Sequence, residues 1–279
     1  MVKKSFILNV DNFGLSNEYN QAVLEGYING FLTSASICTN GEAYENAIHD
    51  ILPDCPKLGV GIHLNITTGK SITECPLLTD NGIFNKSFLY FYFNRKNEAI
   101  LNQIANEFRA QIEKLKSDTN IDHISSNGCI HAIPEIFNIV CVLAKEFDIP
   151  FVRTHFEELY FVPRLVKHLN LKYPRNLVKL LTLQNLTKEN RTSIDKYGLK
   201  TNDFLIGLNY EGMMSSETIE LGLQVLDEDC IVEAVIHPKK YNNSTKDNHT
   251  REFGITQNLT LKDTISRLGF DITNYKNIK

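Results

Sequence analysis

What the 279-residue chain lacks narrows its class first. It has no excess of positive charge: 29 Lys and Arg against 33 Asp and Glu leave a formal net charge of -4. That removes the electrostatic footprint expected of a nucleic-acid partner or an anionic membrane surface. No apolar run approaches the roughly 20 residues that a membrane-spanning helix needs. The N-terminus does not read as a secretory leader, because Asn9, Asp11 and Asn12 interrupt the apolar stretch behind Met1-Val2-Lys3-Lys4. The six cysteines (Cys38, Cys55, Cys75, Cys129, Cys141 and Cys230) show no paired spacing. Reduced thiols in a cytoplasmic protein are therefore expected, most of them as packing residues. No internal repeat or low-complexity tract stands out. With 42% hydrophobic and 22% charged residues, the composition is that of an ordinary soluble globular chain.

What is present is a set of short apolar runs that end on polar groups. Ser5-Phe6-Ile7-Leu8-Asn9-Val10 leads into Asp11-Asn12-Phe13-Gly14, and Leu58 to Asn65 delivers His63. Ile121 to His131 passes Ser125, Asn127 and Cys129, and Cys230 to Pro238 ends on His237. Continuous apolar runs bounded by turn signals suit strands of a parallel sheet covered by helices. In such folds the carboxyl ends of the strands carry the chemistry. Leu32 to Thr39 reads as a further strand ending near Asn40, Ile149 to Arg153 as a short one, and Phe204 to Leu208 as another.

Between the strands, helices are expected from Ser16, as cap, to Gly30, and over 43–52, 98–116, 134–145, 216–226 and 259–268. The alternation points to right-handed crossovers in one α/β domain over 1–279, an incomplete or distorted (β/α) barrel. Two stretches depart from the pattern. Residues 67–97 carry Gly69, Pro76, Asn81-Gly82 and six aromatics from Phe84 to Phe93, and read as a packed loop or as a wall over the site. Residues 157–200 are basic and leucine-rich and read as a helical insertion; Tyr241 to Glu252 is polar and expected to be mobile.

Taken in order, these residues resemble the YdjC-like family of carbohydrate deacetylases. The matching stretches are Asp11-Asn12-Phe13-Gly14, Gly61-Ile62-His63-Leu64 with Thr67-Thr68-Gly69, Ser125 to Pro134, Ile149 to Arg153, and His237-Pro238. The resemblance implies removal of an N-acetyl group from an amino sugar or related saccharide, in a barrel site that holds a divalent metal, zinc or magnesium. Carried over, Asp11 is the general base, His237 the general acid, and Arg153 orients Asp11 or holds a substrate oxygen. His63 and His131 are metal ligands, with Asn12 a weak one and Cys129 a softer candidate. Asn12, Asn127 and Asn40 are substrate contacts. The partner is a small saccharide, with no nucleic acid or membrane, and a homodimer is left open.

The departures from the family pattern bear on the metal. Asn12 stands where the family has its second aspartate, and Ser125, Asn127 and Cys129 replace an aspartate and two histidines. An amide keeps an acceptor oxygen but loses the charge, and it is a poor zinc ligand. On an extended strand, positions 127, 129 and 131 would share a face, so Cys129 and His131 could join His63 around zinc; Asn127-Gly128 is, however, a turn-forming pair. Singly, Asp11 could be a helix cap, His63 a core histidine, His131 a capping donor and His237 a strand-ending turn residue. Together at four strand ends they favour one active site. Two alternatives to the hydrolase stand beside it: a metal-free sugar-binding pseudoenzyme, and the same acid and base running elimination or isomerisation.

Overall fold

The strand pleat sends successive side chains to opposite faces, and here the two faces differ in kind. Phe6, Leu8 and Val10, with Val60, Ile62 and Leu64, Ile124, and Val232, Ala234 and Ile236, join one apolar core that also holds Val23, Ile104, Phe108, Ile112, Ile136 and Val140 from the helices. The other face carries Asn9, Asp11, Ser36, His63, His123, Ser125 and Glu233, all buried. The runs that read as uniformly apolar are therefore alternating strands with a polar inner row.

The computed structural model describes residues 4–163, 172–241 and 247–278. Its strands are β1 (Ser5–Phe13), β2 (Ser34–Ile37), β3 (Gly59–Leu64), β4 (Thr79–Asp80), β5 (Ile83–Phe84), β6 (His123–Ser126), β7 (Phe151–Val152), β8 (Phe204–Ile206), β9 (Ile231–Ile236) and β10 (Asp271–Ile272). The helices are α1 (Asn17–Ile28), α2 (Tyr44–Asn46), α3 (Phe88–Phe93), α4 (Glu98–Asp118), α5 (Pro134–Glu146), α6 (Lys172–Tyr197), α7 (Ser216–Gln224), α8 (Asn248–Thr256) and α9 (Leu259–Arg267).

The main sheet runs β7-β6-β3-β2-β1-β9-β8, with β10 added to β1, and every pairing in it is parallel. This is the incomplete α/β barrel that the strand and helix pattern predicts. Its two edges approach each other: Phe151 bridges Lys200, and the Leu205 N–H donates to the Phe156 carbonyl at 2.7 Å. Ile7, Phe151, Ile231 and Tyr275 form a small apolar floor inside the curve. Polar residues stand above that floor, toward the carboxyl ends of the strands.

Several expectations change. The strand expected to reach His131 stops at Ser126, because Gly128 (φ 63) and Cys129 (φ 57) adopt left-handed backbone and residues 127–132 turn as a 3-10 segment. Positions 127, 129 and 131 therefore share no strand face. The helix expected over 43–52 is broken into α2, a π turn and a 3-10 turn. Ser16 occupies the cap position of α1 without accepting a backbone bond; its hydroxyl donates instead to Glu18. Within the polar stretch 241–252, α8 begins at Asn248, capped by Asp247, and residues 242–246 lie outside the described residues. The 157–200 insertion resolves into α6, with 164–171 likewise outside them. Residues 67–97 contain the β4-β5 hairpin and α3, whose Phe91 joins the main core along with Phe84.

Gly61 is fixed by a close approach. A Cβ at this position would lie 2.2 Å from the His123 ring, and that ring is held at both nitrogens, by Asp122 and Ser36. Gly61→Ala is expected to lower stability by about 1–3 kcal/mol through overpacking, read as a lower urea midpoint; an unchanged midpoint would contradict this packing.

Candidate active site

The site is built upward from a buried ion cluster. Arg153, at the end of β7, donates to Asp11 through both terminal nitrogens (2.7 and 2.8 Å) and to Glu233 through Nε and Nη2 (2.9 and 2.5 Å). Tyr275 Oη donates to Glu233 at 2.7 Å from below. Two-point guanidinium–carboxylate contacts fix both groups in a plane. A second arm reaches Asp11 from the other side: Asn9 Nδ2 donates to Asp11 Oδ1 (2.9 Å) and to Ser36 Oγ (3.1 Å). Ser36 Oγ lies 2.8 Å from His123 Nε2, and His123 Nδ1 lies 2.5 Å from Asp122. Asp122, His123 and Ser36 thus have the order of a hydrolase triad, but Ser36 is fully buried and its Oγ accepts from Asn9, which also donates to Asp11.

These contacts set charge states. Burial alone would raise the Asp11 pKa, but Arg153 beside it, with His63, holds the carboxyl well below the usual carboxylate range. Burial pushes His63 down to about 4 and His131 down to about 3, so both are neutral near pH 7.

Above the cluster opens a cavity of about 240 Å³ whose walls include Asp11, Asn12, His63, Asn127, Cys129 and His237. Asn12 sits at a bulge in β1 with left-handed backbone (φ 70). His63 Nδ1 lies 2.7 Å from Ser125 Oγ and 3.7 Å from Asp11; the nearby anion favours the proton on Nδ1 and leaves Nε2 as an acceptor. His237, its side chain 29% exposed, places Nε2 3.9 Å from Asp11 Oδ2 and Nδ1 3.8 Å from Glu252 Oε2. The structure thus brings Asp11, Arg153, His237, His63, Asn12, Asn127 and Cys129 together at one mouth.

Two candidates fall elsewhere. Asn40 donates to the carbonyls of Thr68 and Lys70 and accepts from Asn65, so it braces the 65–70 loop outside the cavity. His131 has both ring nitrogens engaged, one with Ser126 Oγ and the other with the Arg153 carbonyl. It ties the 127–132 turn to β7, a role that spacing along an assumed strand could not reveal.

The donor set does not fit a divalent cation. Both Asp11 oxygens face the Arg153 cation, His131 is committed, and the Cys129 thiol, its pKa raised by burial, lies beside the Lys179 ammonium. Among the described residues no three His, Cys, Asp or Glu side chains converge to share an ion. His63 remains, in a cavity it shares with two neutral amides.

His155, Lys179, Glu211 and Leu208 line the same cavity and were not marked by any motif. Lys179 on α6 pairs with Glu211 at 2.6 Å. Glu157 accepts from the backbone N–H groups of Gly207, Leu208 and Asn209 and so holds the loop that carries Glu211; burial raises its pKa to about 7. The only local signal was the charge of Lys179 and Glu211, which reach the site through the barrel topology.

With fold and site in view, the comparisons are direct. The model of the YdjC-like protein family matches residues 5–267, and the chain belongs to that family. It is 33% identical over 190 residues to a carbohydrate deacetylase of Clostridium beijerinckii, a match covering 66% of this chain and 75% of that protein. It is 33% identical over 147 residues to a chitooligosaccharide deacetylase of Salmonella typhimurium, covering 52% of this chain and 57% of the relative. An Enterococcus faecalis structure described as a cellobiose-phosphate cleavage protein superposes with a TM-score of 0.74 at 22% identity, covering 98% of both chains. An uncharacterized Agrobacterium tumefaciens protein reaches 0.50 at 8% identity, covering 98% of this chain and 88% of its own. No helix among the described residues is long and apolar enough to cross a membrane.

The buried neutral histidines make stability pH-dependent. As pH falls below about 6.5, the unfolded chain takes up protons that His63 and His131 refuse until about 4 and about 3. Each contributes a loss of roughly 3–5 kcal/mol across that window. The urea midpoint is expected to hold steady above pH 7 and fall steeply between pH 6.5 and 4; a midpoint constant across that range would contradict the assignment.

Proposed function

We propose that the chain hydrolyses the N-acetyl group of an amino sugar or a related saccharide, with the chemistry at Asp11 and His237. The observation that carries this reading is the approach of His237 Nε2 to the Asp11 carboxylate, 3.9 Å, at the mouth of a cavity above the strand ends. The names of the relatives supply the substrate class.

A carboxylate clamped by a guanidinium is a weak base, so His237 is the better proton acceptor. Water adds to the acetyl carbon and its proton passes to the His237 ring. Asp11 on one side and Glu252 on the other stabilise the imidazolium. The C–N bond then breaks, His237 returns the proton to the leaving nitrogen, and acetate and a free amine result. Arg153, Asn9 and Glu233 hold Asp11 in place and touch no reacting atom.

A second reading, a pocket that binds a saccharide without cleaving it, is favoured by one observation: two amides, Asn12 and Asn127, line the cavity together with His63. Acetate release from a panel of N-acetylated mono- and oligosaccharides separates the two. Turnover is expected, with His237→Ala lowering kcat by about 10²–10⁴-fold. Calorimetric binding with no acetate from any sugar would overturn the hydrolase reading in favour of the second.

A further inference from the structure

We infer that Asn12 and Asn127 replace a divalent cation in this pocket, gripping the acyl oxygen of the ligand by hydrogen bonds. The identity of the ligand rests on the saccharide reading above; the exclusion of the cation does not.

The two amides belong to one hydrogen-bonded chain. Thr67 Oγ1 donates to Asn127 Oδ1 (3.1 Å), Asn127 Nδ2 donates to Asn12 Oδ1 (3.4 Å), and Asn12 Nδ2 donates to Tyr19 Oη (3.4 Å). Thr67 Oγ1 also reaches Asn65 Oδ1 (3.2 Å), and in either direction of the chain each carboxamide gives it one N–H and one oxygen. Each NH2 has two hydrogens and gives one to this chain, so each retains a donor. Both side chains line the cavity beside Asp11 and His237. An acetamide oxygen that gains negative charge as water adds would be met by such neutral, prearranged donors.

The surrounding carboxylates are already taken up in ion pairs and leave the two amide positions to decide whether a cation is held. The Arg153 guanidinium is bound to Asp11 and Glu233, and the Lys179 ammonium, which lines the same cavity, is paired with Glu211. A dication at His63 would meet one imidazole and two uncharged amides, with the nearby carboxylates already engaged by Arg153 and Lys179.

The test is a titration of the full chain with zinc chloride and with magnesium chloride, followed by calorimetry and by elemental analysis after gel filtration. Three proteins are compared: the natural chain, the double variant Asn12→Asp with Asn127→His, and that variant carrying His63→Ala as well. The natural chain is expected to retain no stoichiometric metal. The double variant is expected to retain one zinc per chain and to lose it with His63→Ala. One tightly held metal in the natural chain, lost when His63→Ala is made there, would overturn the inference. Failure of both the natural chain and the double variant to bind would overturn it too, because something other than the amides would then exclude the ion. Since no sugar enters these titrations, their outcome is separate from the success of the acetate assay. In the sugar arm, the affinity for N,N'-diacetylchitobiose is expected to be unchanged by chelator and weakened about tenfold or more by Asn127→Ala; loss of affinity on chelation would contradict the amide grip.

Discussion

A guanidinium held between two carboxylates inside a strand layer is the constraint on which this structure turns. Burying one ion is costly, and removing one partner from a buried pair typically costs about 3–5 kcal/mol. Arg153 therefore commits Asp11, Glu233 and, through Glu233, Tyr275 to fixed positions. The clamp joins β1, β7 and β9 with the C-terminal segment after β10, elements far apart in the chain. Asn9, Ser36, His123 and Asp122 complete the frame from β1, β2 and β6. The inner face of the barrel is thus a hydrogen-bonded scaffold with the reactive groups at its upper end.

The clamp also shapes the chemistry. It keeps Asp11 ionised, which suits the carboxylate to steadying a charged His237 and leaves it poorly suited to taking a proton itself. With both Asp11 oxygens turned to Arg153, the carboxylate is already engaged and is not free to ligate a cation. Asn12 and Asn127 line the cavity as neutral amides, where a metal centre would need carboxylate and imidazole around it. The chain belongs to the YdjC-like family, and two uncharged amides stand among the residues that line its cavity.

Much of this was legible in the residues. The runs ending at Asp11, His63 and His237 gave the strands and the end of the sheet that matters, because a polar group after a buried run has few other places to go. Glu233, Asn9 and His123 escaped notice because a single polar residue inside an apolar run looks like an exception until the pleat places several on one face. His131 was misplaced because two left-handed residues, Gly128 and Cys129, turn the chain where alternation was assumed. Asn40 was misplaced because loop bracing and ligand contact use the same kind of amide. Lys179, Glu211 and His155 reach the cavity only through the topology, from α6 and from loops following β7 and β8.

The central claim is that Arg153 holds Asp11 as a permanent anion at the head of the site. A ¹³C-carboxyl NMR titration of Asp11, assigned by comparison with Asp11→Asn, tests it most directly. The account predicts an Asp11 resonance that stays flat from pH 8 down to pH 4 in the folded protein. An Asp11 carboxyl that takes up a proton anywhere within that range would contradict it.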